Sequence, residues 1–486
     1  MGELTLTTSW ISKTEASSRH AWHIRLRQDG SRSRRALLDA LEEALLAADP
    51  RTIIRKTVKL QSNNLNVSTL SLRLGEFRRI VVVGGGKASA DMALEIERIL
   101  GSRITGGSVN IPGYTRPWPT SSRIAFIPAT HPIPSEKGFR GVRNMLRLVG
   151  QPSRKDLVIC LISGGGSALM PFPSTGIPLA DKQRATELLL KSGATIHETN
   201  AVRKHLSEIK GGRLAERLYP ATVLSLMISD VVGDELGSIA SGPTFPDDTT
   251  YRDAYEVLRG RGLWPRVPRS VRDHISKGVK GELPETPNAE SPVFKRVHNV
   301  LVGSGLFSCA AAARALKKRG YRTLTLSTMI QGEAKEIGKA LSSIVSDIWK
   351  NQIPMAPPAA IVAGGETTVT VHGKGRGGRN QELTLSSALA IQGMKNVLVA
   401  SAGTDGVDGP TNAAGAIADG TSVERASRKG LDSRAFLEDN NSYSFFKKLN
   451  DLIVTGPTGT NVNDIMIGIV ERSKQRHDTA SQPRRR

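Results

Sequence analysis

Six apolar, β-branched runs recur along this 486-residue chain, and each ends in glycine or a polar turn. They are RIVVVGGG (79–86), DLVICLISGGG (156–166), TVLSLMISDVVGD (222–234), HNVLVGSG (298–305), AAIVAGGE (359–366) and NVLVASAGTDG (396–406). Near-continuous apolar strands satisfy a sheet that is buried on both faces. Helical spacing of apolar residues lies between most of them, as at 182–193 and 306–319, and precedes them at 34–48. Strands alternating with helices predict the α/β class, with parallel sheets covered on both sides. Such sheets bind ligands outside the carboxyl ends of their strands. All six glycine-rich turns fall there.

The length suits two large domains. GELPETPNAESP (281–292) lacks periodicity and reads as a linker. The expected division is a flexible extension over 1–30, a Rossmann-like domain over 31–280, a linker over 281–297, a second α/β domain over 298–471 and a basic tail over 472–486. The proline-dense stretch 111–134 is expected to be irregular and to run over the end of the first sheet.

Composition excludes several classes. No window approaches the roughly 18 uninterrupted apolar residues of a membrane span. The only cysteines, Cys160 and Cys309, sit inside apolar runs and read as core residues of a reducing compartment. The net charge of +22 raises the question of nucleic acid. Much of the excess lies in Arg32–Arg35 and the terminal SQPRRR, read as solvated basic segments. Aromatic residues are only 4%, so stacking recognition of single strands is poorly supported. Neither a specific nucleic acid nor a membrane is expected as partner. The first 30 residues lack the apolar stretch of a secretory signal; a cytoplasmic protein, compatible with a homodimer, is expected.

VVVGGGKASADMA (81–93) reads as strand, glycine turn and helix start, with Lys87 at the turn. A Walker A loop would need glycine where Val81 stands and Ser or Thr where Ala88 stands. A dinucleotide fingerprint would need glycine where Ser89 stands. The expectation that remains is an anion cradle: Gly85 and Gly86 let backbone N–H groups approach, and Lys87 adds charge. LISGGGSALMPFP (161–173) repeats the device, with Ser163, Gly164, Gly165, Gly166 and Ser167 as the cradle. Two cradles suit a ligand with two anionic ends, or two anionic ligands. Ser167 is not in a nucleophile-elbow pattern. His131 and His197 read as loop or packing residues.

The segment 195–215 reads as a basic helix ending at Gly211-Gly212, from which Arg203 or Lys210 could reach a carboxylate or phosphate. Asp230 ends a buried strand, the position of a metal ligand or base, or of a helix N-cap. Lys374, Arg376 and Arg379 lie on a glycine loop suited to a transferring phosphoryl group. Asp405 and Asp408 form a glycine-rich acidic turn that could hold Mg²⁺ on nucleotide phosphates.

The ordered set GGGKAS, ATHPIPSEKG, SGGGSAL, IKGGRLA, SDVVGDE, SGPTFPD, GRGGRNQE, GTDGVDGPT and TGPTGTNVND resembles the class II glycerate kinases, or glycerate 2-kinases, with their C-terminal MOFRL domain. The resemblance covers roughly residues 35 to 470. It implies a Rossmann-like domain and a second α/β domain, an active site in the cleft between them, and ATP-dependent phosphorylation of D-glycerate, mostly at the 2-hydroxyl, with a divalent metal. Lys87, Asp230 and Arg379 match residues implicated in the family, and Asp405 matches its TDG aspartate. Family members often read GDP where this chain has Asp234-Glu235. On this reading Lys87 and Arg379 neutralise the transferred group, and Asp230 is base or, with Asp405, metal ligand. Gly364, Gly365, Glu366, Gly378, Asn380 and Thr404 are expected to hold the nucleotide. Relatives labelled hydroxypyruvate reductases supply one alternative, which the broken fingerprints oppose; a basic nucleic-acid-binding protein is the other.

Overall fold

The computed structural model describes residues 24–27, 29–113 and 122–472. They form two compact units. The first comprises Leu45–Ser308 together with Gly459–Asn463; the second comprises the described residues up to Ala44, Cys309–Thr458 and those from Asp464 on.

The first unit begins with a small antiparallel sheet that the sequence reading missed: β1 (Val58–Gln61), β2 (Asn64–Val67) and β3 (Leu70–Arg73). Its principal sheet follows, with β4 (Arg79–Gly85), β5 (Gly106–Pro112), β6 (Ile124–Ala129), β7 (Asp156–Ser163), β8 (Thr222–Ile228) and β9 (Val297–Gly303). All pairings are parallel, in the order β6-β5-β4-β7-β8-β9. The order reverses between β4 and β7, which makes their carboxyl ends the topological switch point.

Alternation along β4 explains the two-sided core. Ile80 and Val82 pack with Met92 and Ile96 of the helix Ser89–Leu100. Val81 and Val83 pack with Val142 and Met145 of the helix Glu136–Val149. That second helix starts where Ser135 accepts the Gly138 N–H. Cys160 lies in the same core, where burial pushes its thiol up to about 12.

Arg79 closes the amino end of β4. Its Nε and Nη2 donate to the two carboxylate oxygens of buried Asp156 at 3.0 and 2.8 Å. This fork, helped by the Ser153 N–H, holds Asp156 down to about 2. The folded pKa is depressed, so the stabilisation is complete above the ordinary aspartate value and is lost as pH falls toward 2. Arg79→Met should cost about 3 kcal/mol at neutral pH, because it strands a buried carboxylate. Thermal melts at pH 7 and pH 3 should show the wild-type advantage shrinking in acid.

The second unit carries β10 (Arg322–Glu333), β11 (Ala359–Thr368), β12 (Val397–Gly403), β13 (Gly415–Asp419), β14 (Leu452–Ile453) and β15 (Asp464–Val470), in the order β10-β11-β15-β12-β13-β14. Only β10 and β11 run parallel; the other pairings are antiparallel. The expectation of a second parallel sheet is therefore corrected to a mixed one. Continuous apolar runs report burial on both faces, which helices Ala334–Asn351 and Arg379–Ala390 help provide, and not strand direction.

Three further expectations change. The stretch 281–292 belongs to the first unit and is tied into it, with Thr286 Oγ1 donating to Asp247 at 2.9 Å and Asp247 N donating to Pro287 O at 3.1 Å. Proline removes regular structure there without removing tertiary contacts. The run at 298–305, placed in the second domain from sequence, is the sixth strand of the first sheet. Stretch 111–134 contains all of β6, an edge strand, where Pro128 is tolerated.

Arg34, assigned to a solvated basic segment, is 1% exposed and meets Asp419 at 2.8 Å and Asp451 at 3.2 Å. It anchors the helix Arg32–Ala48, whose residues up to Ala44 fall in the second unit and not in the domain expected over 31–280. The extension's first 23 residues and the tail beyond Arg472 lie outside the described residues. Among the described residues no helix is long and apolar enough to cross a membrane.

Candidate active site at the switch point

The two glycine triads end adjacent strands, yet they do different things. In the first, the amides are already committed. Gly86 N donates to Asn110 O (3.3 Å), Lys87 N to Gly164 O (2.8 Å), Ala88 N to Ser163 Oγ (3.0 Å) and Ser89 N to Gly86 O (3.3 Å). Its glycines serve close approach. A Cβ on Gly84 would fall 2.1 Å from Leu161 O, one on Gly85 2.6 Å from Met170 Cγ, and one on Gly86 2.2 Å from Ser163 Oγ. The expected cradle at Gly85 and Gly86 is therefore corrected: this turn is a packing device that fixes Lys87. Ser163, expected on the ligand, braces that turn instead and is 1% exposed.

The second triad is open. Among the described residues, the N–H groups of Gly164, Gly165, Gly166 and Ser167 have no acceptor. Gly165 is left-handed at φ +78°, and the chain then enters the short helix Gly166–Leu169. Successive free amides around a left-handed residue make an anion-binding nest.

Side chains converge on it. A Cβ on Gly164 would lie 1.9 Å from Asp230 Oδ2, so only glycine leaves the carboxylate room. A Cβ on Gly165 would lie 2.9 Å from His131 Cδ2, 3.2 Å from its Nε2 and 3.3 Å from Lys87 Cγ. Burial raises the Asp230 carboxyl above its ordinary range against the opposing pull of Lys87. Lys210, 2% exposed, donates from Nζ to Gly166 O at 3.1 Å and so sits behind the nest. Burial, with Lys182 and Arg203 nearby, pushes its ammonium well below the usual lysine range. Lys182 is brought down to about 7 by burial and by Arg203. Four free amides, backed by an amine whose protonation a bound anion would favour, suit an anion.

Ser167 belongs to a polar chain. Its Oγ lies 2.7 Å from Ser241 Oγ, and Ser241 donates to Asn200 Oδ1 at 2.9 Å. Ser241 has one hydrogen and gives it to Asn200, so Ser167 donates to Ser241 and presents only lone pairs. Ser241 (φ +61°) and Ala240 (φ +52°) occupy a strained left-handed turn to reach this position.

In the second unit, Arg379 Nε and Nη2 clasp Asp464 at 2.6 and 3.0 Å, and Nη1 meets Glu366 at 2.9 Å. Three of its five N–H groups are thus engaged. Asn380, 2% exposed, donates to Asp408 (3.2 Å) and Asp464 (3.0 Å) and accepts from Ser401 (2.5 Å). Asp408 accepts the Asn380 and Gln381 backbone N–H groups at 3.0 and 2.9 Å. It is therefore a buried helix cap and not half of an exposed metal pair; burial raises it to about 6 against those donors, with Asp464 adding repulsion. Gly378 gives this cap room: its Cβ would sit 2.4 Å from Asp408 Cγ. Gly365, at φ +149°, repeats the close crossing of Gly84, with its Cβ 2.0 Å from Ile330 O, and Gly364 packs on Cys309. Thr404 is 1% exposed and its carbonyl accepts from Thr458 Oγ1 at 2.6 Å. Gly364, Gly365, Gly378, Asn380 and Thr404 thus all have structural work in this unit.

Comparison with known proteins completes the picture. A family model described as a domain of unknown function, DUF4147, matches residues 36–276, and the MOFRL family model matches 359–464. A glycerate 2-kinase from Pyrococcus horikoshii is 44% identical over 435 residues, covering 89% of this chain and 96% of that protein. The chain belongs to the glycerate 2-kinase family. A crystal structure of a glycerate kinase from Thermotoga maritima superposes with a TM-score of 0.79 at 38% identity, covering 90% of this chain and 99% of that one. An Agrobacterium vitis relative, 40% identical over 80% of this chain and 98% of its own length, bears a hydroxypyruvate reductase name.

For a glycerate kinase family member, a divalent cation is a natural companion of the nucleotide. Among the described residues no group of three or more His, Cys, Asp or Glu is placed to hold a metal ion. Asp230 neighbours Lys87, and Asp405, in the other unit, accepts the Val407 N–H at 3.1 Å. Neither carboxylate belongs to a protein cage; each by itself fits an ion carried mainly by phosphates.

Sequence reasoning missed four residues around this candidate site: His131, Lys182, Asn200 and Ser241. His131 was readable only as a loop residue because its neighbours, Lys87 and Gly165, lie in turns that follow other strands. His197, by contrast, is exposed beside Glu235 at 3.4 Å.

Proposed function

We propose that this chain transfers the γ-phosphoryl group of ATP to the 2-hydroxyl of D-glycerate, giving 2-phospho-D-glycerate and ADP. The observation that carries this reading is the open nest at Gly164–Ser167, backed by Lys210 and flanked by Lys87 and Asp230. The nest takes the carboxylate of glycerate. Asp230, its carboxyl raised by burial, takes the proton of the attacking hydroxyl. The new O–Pγ bond forms as the bond from Pγ to the β-phosphate oxygen breaks, and ADP leaves with that electron pair. Lys87 offsets charge on the transferred group. The Mg²⁺ or other divalent ion enters with ATP as part of the substrate. A cytoplasmic location and small-molecule partners alone accompany this reading.

The reductase reading requires a pyrophosphate cradle at the first strand's turn, where every N–H from Gly86 to Ser89 is already bonded. The test is a coupled assay with separation of the 2- and 3-phosphate products. ADP formation that depends on D-glycerate, with the 2-phosphate as product, is expected. Oxidation of NAD(P)H by hydroxypyruvate without ATP would overturn the proposal.

A further inference from the structure

His131 has no role in the scheme above, yet it stands at the nest. Its turn is built for the purpose: Thr130 Oγ1 donates to Ile133 O at 2.6 Å, Thr130 N donates to Ser135 Oγ at 3.3 Å, and Gln183 Nε2 holds Pro134 O at 2.6 Å. The ring itself is half-buried and makes no hydrogen bond among the described residues. Its Nε2 lies over Gly165, the left-handed residue of the nest, while Asp230 lies over Gly164. Two polar groups therefore flank one anion site on consecutive residues, whose Cα atoms are about 3.8 Å apart. Neighbouring hydroxyls on a short carbon chain are separated on the same scale.

The two flanking groups differ in charge. Burial and the adjacent Lys87 bring the imidazole down to about 4, so it is neutral at physiological pH. A carboxylate suits the hydroxyl that must lose its proton, and a neutral imidazole suits one that keeps it.

We infer that His131 is a specificity-determining residue whose imidazole hydrogen-bonds the hydroxyl of the acceptor that is not phosphorylated, so that the site selects a dihydroxy acid over a monohydroxy acid. This rests on the phosphoryl-transfer reading above, in which the 2-hydroxyl reacts and the 3-hydroxyl is the spectator. A site built to pair a substrate hydroxyl discriminates against the analogue that lacks it, because the protein group is then left unpaired.

The test compares D-glycerate with D-lactate, which lacks the 3-hydroxyl, in wild type, His131→Ala and His131→Gln. The KM for D-glycerate is measured beside the Ki of D-lactate as its competitor. His131→Ala should weaken D-glycerate roughly tenfold and D-lactate hardly at all, collapsing the preference. His131→Gln, which restores a neutral hydrogen-bonding group, should recover most of it. The acidic limb of the kcat/KM profile should stay in place in both variants, since the imidazole is not the proton acceptor. Circular dichroism confirms folding, and the Gln variant serves if the Ala variant does not fold. Equal losses on both ligands, no loss on either, or a displaced acidic limb would overturn the assignment. A wild type that forms no ADP with D-glycerate would instead sink the underlying reading.

Discussion

Lys87→Met should leave a folded protein whose kcat for D-glycerate phosphorylation is lower by about 10² or more, the usual weight of a group that meets charge developing in a transition state. Methionine keeps the length of the side chain and removes only the ammonium. The turn that presents it is held by its neighbours: Lys87 N to Gly164 O, and Ala88 N to Ser163 Oγ. Neither bond involves the Lys87 side chain, so the melting temperature should stay near wild type while turnover collapses. KM for D-glycerate should move little, because the nest at Gly164–Ser167 holds the carboxylate without it. Near-normal turnover by this variant would remove Lys87 from the mechanism.

The second large effect separates the two glycine triads. Gly84→Ala should cost about 4 kcal/mol, combining a backbone conformation that L-residues rarely adopt (φ +146°) with a Cβ 2.1 Å from Leu161 O. The neighbour is strand backbone, which cannot step aside, so a fall of roughly 10 °C in melting temperature or loss of soluble protein is expected. Gly165→Ala meets side chains instead, the rings and stems of His131 and Lys87. It should cost about 1 kcal/mol in stability for its left-handed φ, but reduce kcat/KM by more than about tenfold by displacing both groups. Should Gly84→Ala prove as stable as wild type and lose only activity, the first triad would be an anion site after all.

Much of the architecture was legible because buried strands need long apolar runs and because ligands gather at strand carboxyl ends. Lys87, the second triad and Asp230 were picked out as candidates that way, and Lys210 from the basic segment 195–215. Strand direction was not legible: β15 enters between β11 and β12 and turns the second sheet mixed, while its apolar pattern resembles that of a parallel strand. Nor was the contrast between the triads. GGGK and SGGGS read alike as strings, and only the partners of their amides tell packing from binding. Asn380 and Asp408 looked like ligands for the same reason that they make a good cap, since polar groups at a helix start serve either purpose. The Arg34 ion pairs escaped notice because a basic run looks solvated until its carboxylates, nearly four hundred residues later, are located.

The segment Gly459–Asn463 is made long after the rest of its unit, yet Val462 is buried in the same core as Val82 and Met92. On the ribosome, the first unit therefore cannot finish its hydrophobic interior when residue 308 emerges. It must wait for some hundred and fifty further residues, during which part of that interior stays open to water and to chaperones. For the same reason, cutting the gene at the apparent boundary near 297 would yield two fragments, one short of a strand and both short of a complete core. Co-expression of fragments divided instead within an exposed loop of one unit is the sounder route to a split enzyme.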